Sequence, residues 1–286
     1  METDPRIQAI LASGIKIPPM PEILLRLNRL LNDPDAGPAD LAGLIRNDGA
    51  LCGAVFRVIG SPVFGLHAKV DSLPRAISLL GMRNAAALLR SEVLRGALSD
   101  PQHAKALQHL WNRSTAIAEL CALAAKTLRP RGISPDAAFM LGMFHDCGLA
   151  LLCKRFPAYA LALSESAAWP DILELDRRNE HSHAAMGQMV AKNWALPEEL
   201  VLAIRHHHEP AAAGLDETAL GLCALLNVAI HLHNRRHAIA EPEWEAGWQA
   251  EAQHRLNLQT TDLIELEADI LAEVPASADH SSARPA

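Results

Sequence analysis

One apolar run constrains this chain more than any other feature. The stretch Phe139-Met-Leu-Gly-Met-Phe-His-Asp-Cys-Gly-Leu149 is hydrophobic except for the adjacent pair His145-Asp146. Such a run belongs in a protein interior, where an uncompensated carboxylate is costly. The fold must therefore bring partners to Asp146. An imidazole and a carboxylate side by side can share one divalent metal ion, His through nitrogen and Asp through oxygen. The alternative is a set of hydrogen-bond donors from the protein itself.

The surrounding sequence is punctuated as helices. Ser134-Pro135-Asp136 supplies an N-cap, a proline for the first helical position and an acid for the first turn. Leu196-Pro197-Glu198-Glu199 repeats that logic, Asp48 can cap the segment carrying Leu51, Val55, Phe56 and Ile59, and Asp71 or Ser72 can open another that ends at Leu80-Gly81. Strict period-two alternation is absent. The spacing predicts an all-α chain: several short helices over residues 15–98, a break at Ser99-Asp100-Pro101, long helices over 103–128 and 136–155, and a further one over 219–233. The expected division is an N-terminal helical subdomain over 1–100, a helical bundle over 101–238, a helical extension over 239–274 and a disordered tail over 275–286.

Composition narrows the function. A formal net charge of −7 over 286 residues argues against a polyanion partner, because affinity for nucleic acid comes from clustered Lys and Arg. The one segment that resembles a DNA-reading helix-turn-helix, residues 41–60, is not notably basic on its outward positions, so no DNA is expected. Five scattered cysteines with no zinc-type spacing suit a reducing compartment. An acidic N-terminus without an apolar stretch is no signal peptide, and no uninterrupted apolar run reaches membrane-spanning length. A cytoplasmic protein with no membrane contact is the expectation.

Histidine is unevenly placed. Beyond His145, there are His181 and His183, the triple His206-His207-His208, and His231 with His233. Imidazoles from separate helices can converge in a bundle core. At about 100° per residue, the three consecutive histidines cannot all face one point, so one or two at most are ligand candidates.

These residues carry a resemblance. Gly142-Met-Phe-His-Asp-Cys-Gly148 resembles the His-Asp signature of the HD superfamily of metal-dependent phosphohydrolases. More specifically, the chain resembles the HDOD domain, an HD-related output domain of bacterial signalling proteins, over about residues 13–235. Ile17-Pro-Pro-Met-Pro-Glu-Ile23, Gly60-Ser-Pro-Val-Phe-Gly65, Val70 to Gly81, His183-Ala-Ala-Met-Gly187, Trp194-Ala-Leu-Pro197 and Ala203 to Pro210 follow that family's motifs in order. The resemblance implies an HD-like helical bundle with an N-terminal helical subdomain.

The pattern also breaks. The resemblance implies a metal-ligating His in the helix around Leu110-Trp-Asn-Arg-Ser114, where this chain has Arg113, and a final Asp where it has Asn227. A guanidinium is always protonated and offers no lone pair. His109, one turn earlier, is about 5.4 Å away along the helix, too far for a simple exchange. The expectation is that Arg113 pairs with Asp146, leaving His145-Asp146 as a degenerate metal site. His145 and Asp146 remain the metal candidates. Arg113, His145, Asp146, His183, His207, His208 and Asn227 form the candidate pocket. The reading is a non-enzymatic bacterial signalling protein with no required cofactor, acting in trans on signalling proteins or through a nucleotide ligand. The rival is a metal-dependent phosphohydrolase of nucleotides or cyclic dinucleotides, with a divalent metal as cofactor and a metal-activated water as nucleophile.

Overall fold

Helices begin where the sequence supplies caps. The structure, a computed structural model, describes residues 14–59, 70, 72–166, 168–210, 212 and 214–273, and among them there is no strand. The Gly60–Gly65 motif, Asp71 and the 275–286 tail lie outside the described residues. Two compact units appear: one formed by Pro18–Leu98, the other by Ser99 onward together with the segment ending at Ile17.

The Pro18–Leu98 unit contains α1 (Glu22–Leu31), α2 (Pro38–Ile45), α3 (Gly49–Ile59), α4 (Leu73–Leu80) and α5 (Met82–Ala97). Asp48 caps α3 as the sequence predicts, accepting from the Ala50 and Leu51 N–H groups at 3.0 and 3.1 Å. Ser72 precedes α4 without a side-chain bond. Gly81 follows it at φ +82°, a conformation that glycine takes without strain. Leu27, Leu41, Ile45, Val55 and Ile77 fill the interior of this unit.

The second unit holds the His-Asp pair. After a 3-10 turn at Pro101–His103 comes the long α6 (Ala104–Leu128), then α7 (Pro135–Phe144), α8 (Cys147–Arg155), α9 (Pro157–Glu165), α10 (Ile172–Asn179), α11 (His183–Asn193), α12 (Glu198–His206) and α13 (Glu217–Arg236). Trp244–Trp248, α14 (Gln249–Arg255) and α15 (Thr260–Glu273) follow. Buried positions on α6 recur at Ala106, Leu110, Ile117, Cys121 and Ala124, the stripe that an amphipathic helix turns toward a core. Each buried Leu or Ile there contributes about 1.5–3 kcal/mol. α6 packs on α7, α9 and α13, and α11 packs on both α8 and α12.

One helix boundary differs from the expectation. The stretch over 136–155 is two helices, because His145-Asp146 forms a turn between them. Asp146 has φ −100° and ψ 9°, and it stands at the N-cap of α8 without capping it; its carboxylate faces histidines instead. Pro135–Arg155 as a whole is long and apolar enough to cross a membrane, yet 83% of its apolar window is buried inside the structure.

Candidate metal centre

Two glycines let the helices around Asp146 close up. A Cβ on Gly148 would stand 2.0 Å from the His183 carbonyl oxygen, and one on Gly142 would stand 2.4 Å from Ala118 Cα. The first approach seats the start of α11 on α8, and the second seats α7 on α6. Ahead of α11 the chain reverses through Glu180 in the left-handed region (φ +56°), and Ser182 caps the new helix at Ala185 N–H. His183 thereby arrives beside Asp146.

Five side chains from three segments meet there. Asp146 Oδ2 lies 3.0 Å from His145 Nε2, and Oδ1 lies 3.3 Å from His183 Nε2 and 3.6 Å from His207 Nε2. His208 Nε2 is 3.0 Å from His183 Nε2, and His207 Nε2 is 3.4 Å from it. Asp146, His183, His207 and His208 offer one ligand atom each, all within 4.8 Å of one another. All but His208 are buried. His207 and His208 both join the cluster, in keeping with a limit of two, while His206 turns away to Glu209.

The other ring nitrogens settle the tautomers. His145 Nδ1 donates to the Gly142 carbonyl at 2.7 Å, and His207 Nδ1 donates to the Ile204 carbonyl at 2.8 Å. His183 Nδ1 donates to Asp176 Oδ2 at 2.8 Å, and His208 Nδ1 donates to the Glu243 carboxylate at 2.9 Å. Carbonyls and carboxylates only accept, so each neutral ring carries its proton on Nδ1 and points an Nε2 lone pair at the centre. Lone pairs this close repel unless a cation sits among them. His145 Nε2 is likewise buried, with the Asp146 carboxylate 3.0 Å away outside hydrogen-bond geometry. Ring orientation by an outer carbonyl or carboxylate is the usual support of metal-binding histidines.

Electrostatics agree. Burial alone would raise the Asp146 carboxyl, but the His145, His183 and His207 rings hold it well below the usual carboxylate range. Burial likewise opposes charge on His183, and bonds to Asp146 and Asp176 outweigh it, pushing its pKa up to about 10. His207 goes the other way, down through burial and the neighbouring His208.

Arg113 does not pair with Asp146, which corrects the expectation from sequence. Its guanidinium donates from Nη1 to Asn234 Oδ1 at 3.1 Å and lies 4.6 Å from the centre of the Trp169 ring, leaving Nε buried without a partner. Among the described residues, no carboxylate comes within 4.0 Å of it. Burial pushes Arg113 down to about 10 against the more distant pull of Asp146. Asn227 serves the backbone, donating to the His207 and Cys223 carbonyls at 2.9 and 3.0 Å. His231 stacks on Trp244, and burial with nearby Arg113 pushes His233 down to about 2; neither joins the cluster.

Three supporting residues have no signal in the sequence. Asp176 accepts from both the His183 backbone N–H at 2.9 Å and its ring. Tyr159, the single tyrosine, donates to the other Asp176 oxygen at 2.7 Å. Glu243 meets His208 across 35 residues of chain. Only the buried setting of Asp176 marks it, and burial of one acid in a polar helix is not written in local spacing.

Known proteins with this sequence pattern share the architecture. The family model of the HDOD domain matches residues 17–210. An uncharacterized protein of Treponema pallidum (strain Nichols) is 26% identical over 219 residues, which make 75% of this chain and 42% of that protein. This chain thus spans less than half of that relative's length. An HDOD domain protein with unknown function from Geobacter sulfurreducens superposes with a TM-score of 0.70 at 21% identity, over 93% of this chain and 94% of that one. A candidate phosphohydrolase from Shewanella amazonensis SB2B superposes with a TM-score of 0.67 at 22% identity, over 93% and 95%. Identities this low establish a common fold and leave chemistry to the site. With its all-helical architecture and a family match over residues 17–210, this chain belongs to the HDOD domain family.

Proposed function

We propose that this chain is a regulatory protein of bacterial signal transduction that holds one divalent ion in a closed histidine centre and performs no hydrolysis. The observation that carries this reading is the donor set of Asp146, His183, His207 and His208, gathered within 4.8 Å, with His145 against the same carboxylate. The residues fit an ion: the Nε2 atoms of His183, His207 and His208 converge beside Asp146, and their Nδ1 atoms are all engaged. An imidazole-rich set with one carboxylate suits zinc, iron, nickel or copper better than magnesium or calcium.

Structural metal sites are closed by four protein ligands, whereas catalytic ones keep a position open for water. Four candidate ligands meet here without any contribution from the positions of Arg113 and Asn227. An ion held there would supply a cross-link between the α7–α8 turn, the start of α11 and the end of α12, and its binding free energy would add to that of folding. Output then runs through the protein surface to signalling partners.

Elemental analysis of untreated purified protein, beside turnover assays with nucleotides and cyclic dinucleotides, tests this. The expected result is about one ion per chain and no turnover, with Asp146→Ala abolishing ion binding and Asp176→Asn weakening it roughly 10–100-fold. Turnover that disappears in Asp146→Ala would make the protein a phosphohydrolase. Wild-type protein that takes up no ion would return the cluster to a hydrogen-bonded lock.

A further inference from the structure

The family match ends at residue 210, yet one supporting contact of the cluster comes from well beyond it. His208 Nδ1 lies 2.9 and 3.0 Å from the two carboxylate oxygens of Glu243. His208 is also the most exposed member of the centre, with a fifth of its side chain accessible; its ring lies against His207 and His183, and Glu243 holds its outer nitrogen. Its neighbours His183 and His207 are wholly buried and oriented from within the bundle.

Glu243 itself sits in a segment anchored by two buried tryptophans. Trp244 stacks on His231, ring centres 4.0 Å apart and planes within 10°. Glu241 lies 2.9 Å from His231 Nδ1. Trp248 is buried in the same unit, and Gly247 passes against Pro210, just after His208. The segment and the ligand thus share one joint. Outer carboxylates that hold a ligating histidine in one tautomer raise its basicity and its affinity for metal. Whatever strengthens one side of such a joint strengthens the other by the same free energy.

We infer that Glu243 is a positioning residue for His208, and that ion binding in the histidine centre and docking of the Glu241–Trp248 segment form one linked equilibrium. The inference rests on the metal reading above and extends it: the segment following the bundle becomes the element through which occupancy of the centre is reported at the surface. An ion draws His208 inward, His208 holds Glu243, and Glu243 seats Trp244 on His231. Loss of the ion frees His208 and loosens the segment.

Zn2+ titration with a competing chelator, paired with hydrogen exchange of the Trp244–Arg255 amides, tests the link in the full chain. In the wild type, Zn2+ should bind and raise protection across those amides. Glu243→Ala should weaken Zn2+ binding roughly 10–100-fold and abolish the Zn2+-dependent protection. Glu243→Gln keeps an acceptor for the Nδ1 proton and should lose less affinity. Glu245→Ala, at an exposed neighbour that does not touch His208, should behave as wild type. Wild-type and Glu243→Ala proteins that bind Zn2+ equally would overturn the inference and leave the metal reading standing. So would equal weakening by Glu245→Ala, which would assign the effect to a generally loosened segment. A wild type that binds no Zn2+ would overturn both.

Discussion

Arg113 carries a positive charge into the interior with one neutral acceptor, Asn234, and one aromatic face, Trp169. That arrangement sets a definite stability. Replacing a buried charge by an apolar side chain of similar volume is often neutral or favourable, whereas removing one partner of a buried ion pair costs about 3–5 kcal/mol. Arg113→Met loses a hydrogen bond and a cation–π contact while ending the desolvation of a charge. Urea unfolding should therefore shift by less than about 2 kcal/mol in either direction. A loss in the range of a broken ion pair would mean that Asp146 depends on Arg113 after all. The sequence gives the right reason to notice this residue, a cation where a ligand belongs, but not where it points. Direction depends on Asn234 and Trp169, which lie far away along the chain. Asp146 is the converse case: its burial is legible from the run around it, and its partners are histidines that the sequence also singles out.

Among the elements, close approach rather than hydrophobicity governs the centre. Gly148 faces the His183 backbone, and no rotamer can relieve a Cβ placed 2.0 Å from a carbonyl oxygen. Gly148→Ala should cost about 1–3 kcal/mol by forcing α8 and α11 apart, and should weaken ion binding in the same protein. Gly43, inside α2 with nothing near its missing Cβ, is the control. Gly43→Ala should stabilise by roughly 0.5–1 kcal/mol through helix propensity, so the two glycine substitutions should move the midpoint of thermal unfolding in opposite directions. Helix starts at Asp48 and Ser134 are legible because capping is a local bond between near neighbours. The break at His145-Asp146 is not, since the residues on both sides favour helix and only the distant histidines reward the turn. Asp176 and Glu243 escape for the same reason. Their roles exist only once α10 and the 241–248 segment have been brought to the rings they orient.

At the scale of the molecule, the cysteines divide between the two units. Cys52 belongs to the Pro18–Leu98 unit and is half-buried, while Cys121, Cys147, Cys153 and Cys223 are buried in the other. Burial pushes every one of these thiols up, Cys153 and Cys223 to about 12, so the reactive thiolate is scarce in the folded chain. Labelling with a thiol reagent in native buffer should modify Cys52 alone, and slowly. The remaining four should react only as their own unit opens in denaturant, and a chelator should bring that phase to lower denaturant without altering the rate at Cys52. Early reaction of the buried four would show that the unit holding the histidines is not closed. Tyr159 adds a natural indicator of another kind. Burial first, then its bond to Asp176, keep the phenol protonated far above its usual range. Because no second tyrosine exists, the ultraviolet band of phenolate has a single source in this protein. In alkali that band should stay absent until Tyr159 is exposed and parts from Asp176, so its appearance marks the opening of the support behind His183.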